Sequence, residues 1–216
     1  MELTFPSKLF KQVVGLEGRV EYPLVNVDTF RQRAARDIHP ACSAASLIIG
    51  RHGRAHPLKF HPNDPSFFRA LMAAGHKIAI LGGAAIAPAF AGDAEPLPEL
   101  LAVGAEHAED FLARLDVFVY RKHPELFETG GTTILEAMAM ELPVIVFPEQ
   151  CGVAELIEHG ENGFIVTDEA QAIELVGGLA VDPALRERVG RAARTTIVDL
   201  MHRQAATTLA YYLGRP

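Results

Sequence analysis

Six short apolar runs, at residues 45–49, 78–81, 100–103, 117–120, 144–147 and 164–166, punctuate this chain, and most are bounded by Gly, Pro or charged residues. Their apolar residues are consecutive rather than alternate, which suits strands buried on both faces. The stretches between them have helical periodicity. Residues 65–74 place Phe68, Leu71 and Met72 on one face, and residues 107–115 do the same with Phe111, Leu112 and Leu115. Residues 132–140 and 153–159 follow, the latter stopping at Gly160. Strands alternating with helices predict an α/β fold, a Rossmann-like parallel six-stranded sheet with helices on both faces and right-handed crossovers. Three further helices close the chain, at 169–179, 183–193 and 195–213, the second opened by Asp182 as cap and Pro183 in the first turn.

Residues 1–40 stand outside this alternation. ELTFP reads as a strand, SKLFKQVVG as a helix, VEYPLVNV as a strand and DTFRQRAARDIHPACS as a connector. The expected organisation is an N-terminal piece at 1–40, too small to bury a core or build a sheet of its own, and a main domain at 41–216 that includes the C-terminal helices.

The chemistry concentrates at Glu128–Glu136, ETGGTTILE. Two carboxylates stand eight positions apart, with Gly130, Gly131, Thr132 and Thr133 where a loop becomes a helix. Amides at a helix start bind phosphate, and glycines let the phosphate approach them. Carboxylates accept hydrogen bonds from sugar hydroxyls. A nucleotide-sugar carries both kinds of group.

Composition narrows the alternatives. The net charge of −7 disfavours general nucleic-acid binding, which rests on clustered Lys and Arg. Cys42 and Cys151 lie far apart, have no metal-ligand spacing and read as reduced thiols. MELTFPSKLFK lacks the apolar region of a signal peptide, and the apolar runs are short of a membrane span, so the expected location is cytoplasmic. Membrane contact is left open. His52, His56 and His61 match no metal-ligand spacing, so no metal is expected.

These residues resemble the second half of a retaining GT-B glycosyltransferase of glycosyl transferase family 4 (group 1). That family has a Glu, a Gly-rich turn and a second Glu, then Ala-Met-Ala and a Pro-Val strand. The counterparts here are Glu128, Gly130-Gly131, Glu136, Ala137-Met138-Ala139 and Pro143-Val144. CGVAE and GENGFIV follow downstream, and IIGRHGRAHPLKF, with Arg51, Arg54 and Lys59, stands upstream; the likeness covers about residues 44–200. Two details depart from the pattern: no aromatic separates the glycines, and Ala154 replaces a proline.

The resemblance implies a C-terminal donor-binding domain that uses a UDP-, GDP- or ADP-sugar as substrate and needs no cofactor. It makes Glu128, Lys59 and Arg54 the catalytic set. Lys59, with Arg51 or Arg54, and the Gly131, Thr132 and Thr133 amides would hold the diphosphate. Glu136 would hold the ribose, Glu128 the sugar, and Val103 and Gly104 the base. Residues 1–27 would be the tail of an acceptor-binding domain, so a separate acceptor domain or self-association is expected. Two other readings stay open: a non-catalytic nucleotide-sugar-binding module, and a sugar-nucleotide epimerase on the same fold. The family pattern leaves Arg51 and Arg54 equally eligible.

Overall fold

The computed structural model describes residues 3–31 and 46–213. It begins with a strand–helix–strand unit: β1 (Thr4–Phe5), α1 (Lys8–Val14) and β2 (Arg19–Val20), the two strands pairing in parallel. This corrects the expectation that the segment builds no sheet, although each strand is only two residues long. Most of VEYPLVNV is not strand. Where the second strand was expected to continue, the Gln204 side chain takes the place of a neighbouring strand, accepting from Tyr22 N at 2.8 Å and donating to Tyr22 O at 2.7 Å. The expected boundary near residue 40, with Cys42, lies outside the described residues.

The main sheet is β3 (Ile48–His52), β4 (Lys77–Leu81), β5 (Glu99–Leu101), β6 (Val117–Tyr120), β7 (Val144–Val146) and β8 (Phe164–Ile165). All neighbours are parallel, in the order β5-β4-β3-β6-β7-β8. The chain runs outward from β3 through β5, then crosses back to β6 on the other side. The order therefore reverses between β3 and β6, which opens a crevice at their carboxyl ends.

Both faces of the sheet are covered, as the consecutive apolar positions require. Ala79, Leu81, Phe118, Tyr120, Val144 and Val146 join one core; Ile78, Ile80, Val117, Val119 and Ile145 join the other. Phe111 and Leu112 of α3 (Ala108–Ala113), together with α4 (Thr132–Ala139), pack in the first core. The second holds apolar residues of α2 (Asp64–Ala73) and α5 (Glu169–Val181). The two expected closing helices are one, α6 (Pro183–Tyr212), 30 residues long. Arg194, at the expected break, is helical, and its guanidinium donates to Val27 O, Phe30 O and Ala139 O. The helix expected at 153–159 is instead a 3₁₀ turn, Gly152–Leu156. Its first amide is drawn to Glu128 O, and Asn162 donates to Leu156 O, so the local hydrogen bonds go elsewhere.

The N-terminal unit is fastened to the main domain. Glu155 accepts from Lys8 N at 2.7 Å, Leu9 N at 3.0 Å and the Tyr22 hydroxyl. A carboxylate at the start of α1 complements its dipole. Glu155→Ala is expected to weaken this attachment by about 2–3 kcal/mol. Amide hydrogen exchange should then accelerate across residues 8–22 and stay unchanged in the main sheet. Equal acceleration in both would mean that Glu155 supports the whole fold.

Candidate functional site

The crevice floor is built from backbone. Gly53 N donates to Leu81 O at 3.0 Å and Gly82 N to Leu101 O at 2.9 Å, which stitches together the ends of β3, β4 and β5. Gly82 has φ +91, and a Cβ there would stand 2.0 Å from Gly53 O, so only glycine fits. Val103 lies beyond the end of β5 rather than within it; it is 61% exposed and followed by Gly104.

Gly131 caps α4 with φ +55, and a Cβ there would meet Val153 Cγ1 at 2.5 Å. A Cβ on Gly130 would meet Pro23 Cγ at 2.7 Å. Both glycines are thus required by close packing of the loop against its neighbours, a demand not anticipated from the sequence. Gly131 N donates to Glu128 Oε1 at 3.3 Å. The Thr132 and Thr133 amides have no hydrogen-bond acceptor among the described residues, as the first turn of a helix leaves them.

Glu128 is held from both sides. Its backbone N donates to Gln150 O at 2.9 Å and its carbonyl accepts from Gly152 N at 2.8 Å. Oε2 accepts from Lys59 Nζ and the Tyr120 hydroxyl. Burial alone would raise the Glu128 pKa, but the Lys59 ammonium, the Tyr120 hydroxyl and the Gly131 amide together hold it below the usual value. The same burial, reinforced by Glu128, drives the Tyr120 phenol far upward, so it is a neutral donor. Lys122 is 5% exposed and donates to His123 O at 3.2 Å; burial lowers its pKa, Cys151, Glu149 and Glu128 raise it, and Lys59 lowers it further. Cys151 is buried and its thiol is pushed up to about 12, chiefly by that burial, so it supplies no thiolate.

The two arginines part company. Arg51 does not face the crevice. Its guanidinium is buried between the Phe60 and Tyr120 rings, 4.9 Å from each centroid, and donates to Arg121 O and, at 2.9 Å, to Lys59 O. It fastens the loop that carries Lys59, so of the two eligible arginines the buried one is engaged within the fold. Arg54 is exposed, and its side chain has no ion pair among the described residues.

Behind Arg51 lies the buried Asp64, 3.9 Å from Arg51 Nη1 and 3.9 Å from Arg121 Nη1, accepting from His61 N at 2.9 Å. Burial, only partly offset by Arg51, the His61 amide and Arg121, raises its pKa from 3.8 to about 6. Between those values the folded chain holds a proton that the unfolded chain has released. Stability is therefore expected to fall as pH rises through this window, by up to roughly 3 kcal/mol. Urea unfolding of Asp64→Asn alongside the parent should show the slope in the parent alone; parallel profiles would mean that Asp64 is ionised throughout.

Glu136 sits on α4 facing β3. His52 Nε2 lies 3.1 Å from Glu136 Oε2, but off the line of a hydrogen bond, and this buried nitrogen has no aligned partner. The other two histidines turn elsewhere: His56 Nδ1 accepts from Leu58 N, and His61 Nδ1 accepts from Asn63 N. Sequence reasoning missed Tyr120, Lys122 and the pairing of His52. The available signal was position, since all three stand at or just past the carboxyl ends of β3 and β6.

Residues 100–196 match the family model for glycosyl transferases group 1. A protein of Haemophilus influenzae, described as an uncharacterized glycosyltransferase, is 34% identical over 85 residues, 36% of this chain and 24% of that one. The crystal structure of a glycosyltransferase from Rickettsia africae superposes with TM-score 0.75 at 19% identity, over 98% of this chain and 63% of that one. Anabaena HepE, in complex with UDP-glucose, gives TM-score 0.71 at 16% identity, over 97% of this chain and 64% of that one. The chain thus spans less than two thirds of each of these proteins. The sheet order, the switch point and these superpositions establish a Rossmann-like α/β fold of the kind found in GT-B glycosyltransferases.

Proposed function

We propose that this chain is the donor-binding half of a retaining glycosyltransferase that uses a UDP-, GDP- or ADP-sugar. The observation that carries the reading is the pair of amides, Thr132 and Thr133, left without an acceptor at the start of α4, next to Glu128 and its partner Lys59. The likeness to HepE, crystallised with UDP-glucose, supports it. The diphosphate would lie against those amides and cations, Glu136 would accept from the ribose, and Glu128 from the sugar. The base would rest on the backbone near Val103 and Gly104. In the transfer step, the acceptor oxygen bonds to the anomeric carbon as the carbon–diphosphate bond breaks, and the acceptor proton leaves with the departing phosphate. Arg54, Lys59 and the helix start stabilise the growing charge on the leaving group. Lys59 is shared: it neutralises Glu128 in the free protein and the diphosphate in the complex.

Arg54 offers the test with least structural side effect. Arg54→Ala should weaken nucleoside diphosphate binding by about 1.5 kcal/mol and reduce its salt sensitivity, with thermal stability unchanged. Lys59→Ala should weaken the diphosphate in the same way and leave the nucleoside untouched. Arg51→Ala should instead destabilise the fold. Calorimetry with UDP, GDP, ADP and the matching nucleosides decides it; equal losses for nucleoside and diphosphate would reject the phosphate assignment.

A further inference from the structure

Tyr120 ends β6, where its backbone pairs with Val146 of β7. The residue is 2% exposed, and the Arg51 guanidinium lies 4.9 Å from its ring centroid. The phenol is thus held by packing on a rigid strand. Its hydroxyl donates to Glu128 Oε2, and so does Lys59 Nζ. Two donors therefore converge on one carboxylate oxygen. The other oxygen, Oε1, accepts from Gly131 N at 3.3 Å. Each carboxylate oxygen has about two lone-pair sites. Oε2 is filled, and Oε1 keeps room for a further donor. The Glu128 side chain is 13% exposed, so a ligand hydroxyl can reach it.

A bound diphosphate affects the two donors differently. Lys59 is an ammonium, and a diphosphate competes with Glu128 for it. Tyr120 is neutral and buried, and a diphosphate does not compete for it. We propose that Tyr120 is a positioning residue: its hydroxyl clamps Oε2 of Glu128, so that Oε1 stays presented to the donor sugar after Lys59 has turned to the diphosphate. The inference rests on the nucleotide-sugar reading and extends it to a residue that acts through Glu128. The charged and titratable groups around the clamp are Arg51 on β3, Lys59 after it, Lys122 after β6, and Glu149 and Cys151 after β7. Donation by the phenol favours the ionised carboxylate, so its loss raises the Glu128 pKa.

The test is calorimetric titration of UDP, GDP and ADP against UDP-glucose, GDP-mannose and ADP-glucose. The proteins are the parent chain, Tyr120→Phe, Glu128→Ala and the double variant. Tyr120→Phe keeps the ring that packs on Arg51. For the conjugate that binds best, it should lower the affinity about tenfold and leave that of the matching diphosphate unchanged. In the Glu128→Ala background it should cause no further loss, because the group it positions is gone. Carboxyl-carbon NMR should show Glu128 titrating at higher pH in Tyr120→Phe than in the parent. Should Tyr120→Phe not fold, the parent carries the test: the downfield hydroxyl proton of Tyr120, assigned through its ring, should persist in NMR spectra when the conjugate is added. Its disappearance on binding overturns the inference. So does a Tyr120→Phe chain that binds the conjugate as the parent does, that weakens diphosphate and conjugate alike, or that adds its loss to that of Glu128→Ala. Each of these leaves the nucleotide-sugar reading standing. A parent that binds none of the diphosphates or conjugates overturns both.

Discussion

Glu128→Ala is expected to lower stability by about 3 kcal/mol, a melting shift of about 6–12 °C for a chain of this size. The carboxylate is the partner of Lys59 and Tyr120, and its removal leaves an ammonium without a counter-charge in a largely buried setting. Breaking such a pair from one side costs more than the pair itself contributes, because the remaining charge stays desolvated. Two further readouts follow. A nucleoside diphosphate should restore part of the lost stability, since it supplies Lys59 with a new anion, whereas the matching nucleotide-sugar should bind more weakly than to the parent. The pH dependence has a definite sign: the Glu128 pKa is depressed below 4.5, so its contribution is complete above that value and is lost as pH falls through the lower folded-state value. Parent and variant should therefore converge in acid. A variant as stable as the parent at neutral pH would show that the ion pair contributes nothing, and would leave Lys59 free to be assigned without Glu128.

The sheet was legible because strands covered on both faces are written as unbroken apolar runs, and Phe118 and Val119, on opposite cores, illustrate the point. Strand ends were less so. β3 runs on through Gly50, Arg51 and His52, residues that read as loop until their partners are known. Arg51 looks like a surface cation in the sequence. It is buried because two aromatic rings and two carbonyls, from Phe60, Tyr120, Arg121 and Lys59, converge on it from separate elements. The same holds for His52, whose relation to Glu136 depends on how α4 lies along β3. The Gly152–Leu156 turn was misread as an α-helix because the competing partners of its backbone, Glu128 O and the Asn162 side chain, are distant or polar and carry no periodic signal. The glycine pair was visible as a turn before a helix, yet the closeness of Pro23 and Val153, which excludes any larger residue, was not.

The 216-residue polypeptide assayed by itself is expected to bind a nucleotide-sugar without transferring the sugar at an enzymatic rate. Holding two reactants in register accounts for about 7–11 kcal/mol of the barrier in reactions of this kind. That contribution needs a surface that fixes the acceptor hydroxyl over the anomeric carbon and excludes water from it. On the proposed reading the described residues would provide one wall of such a cleft. The N-terminal unit has strands two residues long, and its attachment through Glu155, Gln204 and Arg194 holds it against the main domain. The solved relatives are longer, with the chain covering 63% of one and 64% of the other, so each has further residues from which a second wall can be made. The decisive experiment pairs donor-binding calorimetry with a transfer assay over broad hydroxyl acceptors. It is run on the polypeptide alone and then with candidate acceptor-domain polypeptides added. Binding without turnover, followed by turnover on addition of a second polypeptide, is the expected sequence. Binding that never leads to transfer with any added polypeptide would favour a nucleotide-sugar-binding module. Sustained turnover by the polypeptide alone would overturn this expectation and require an acceptor site within the polypeptide itself.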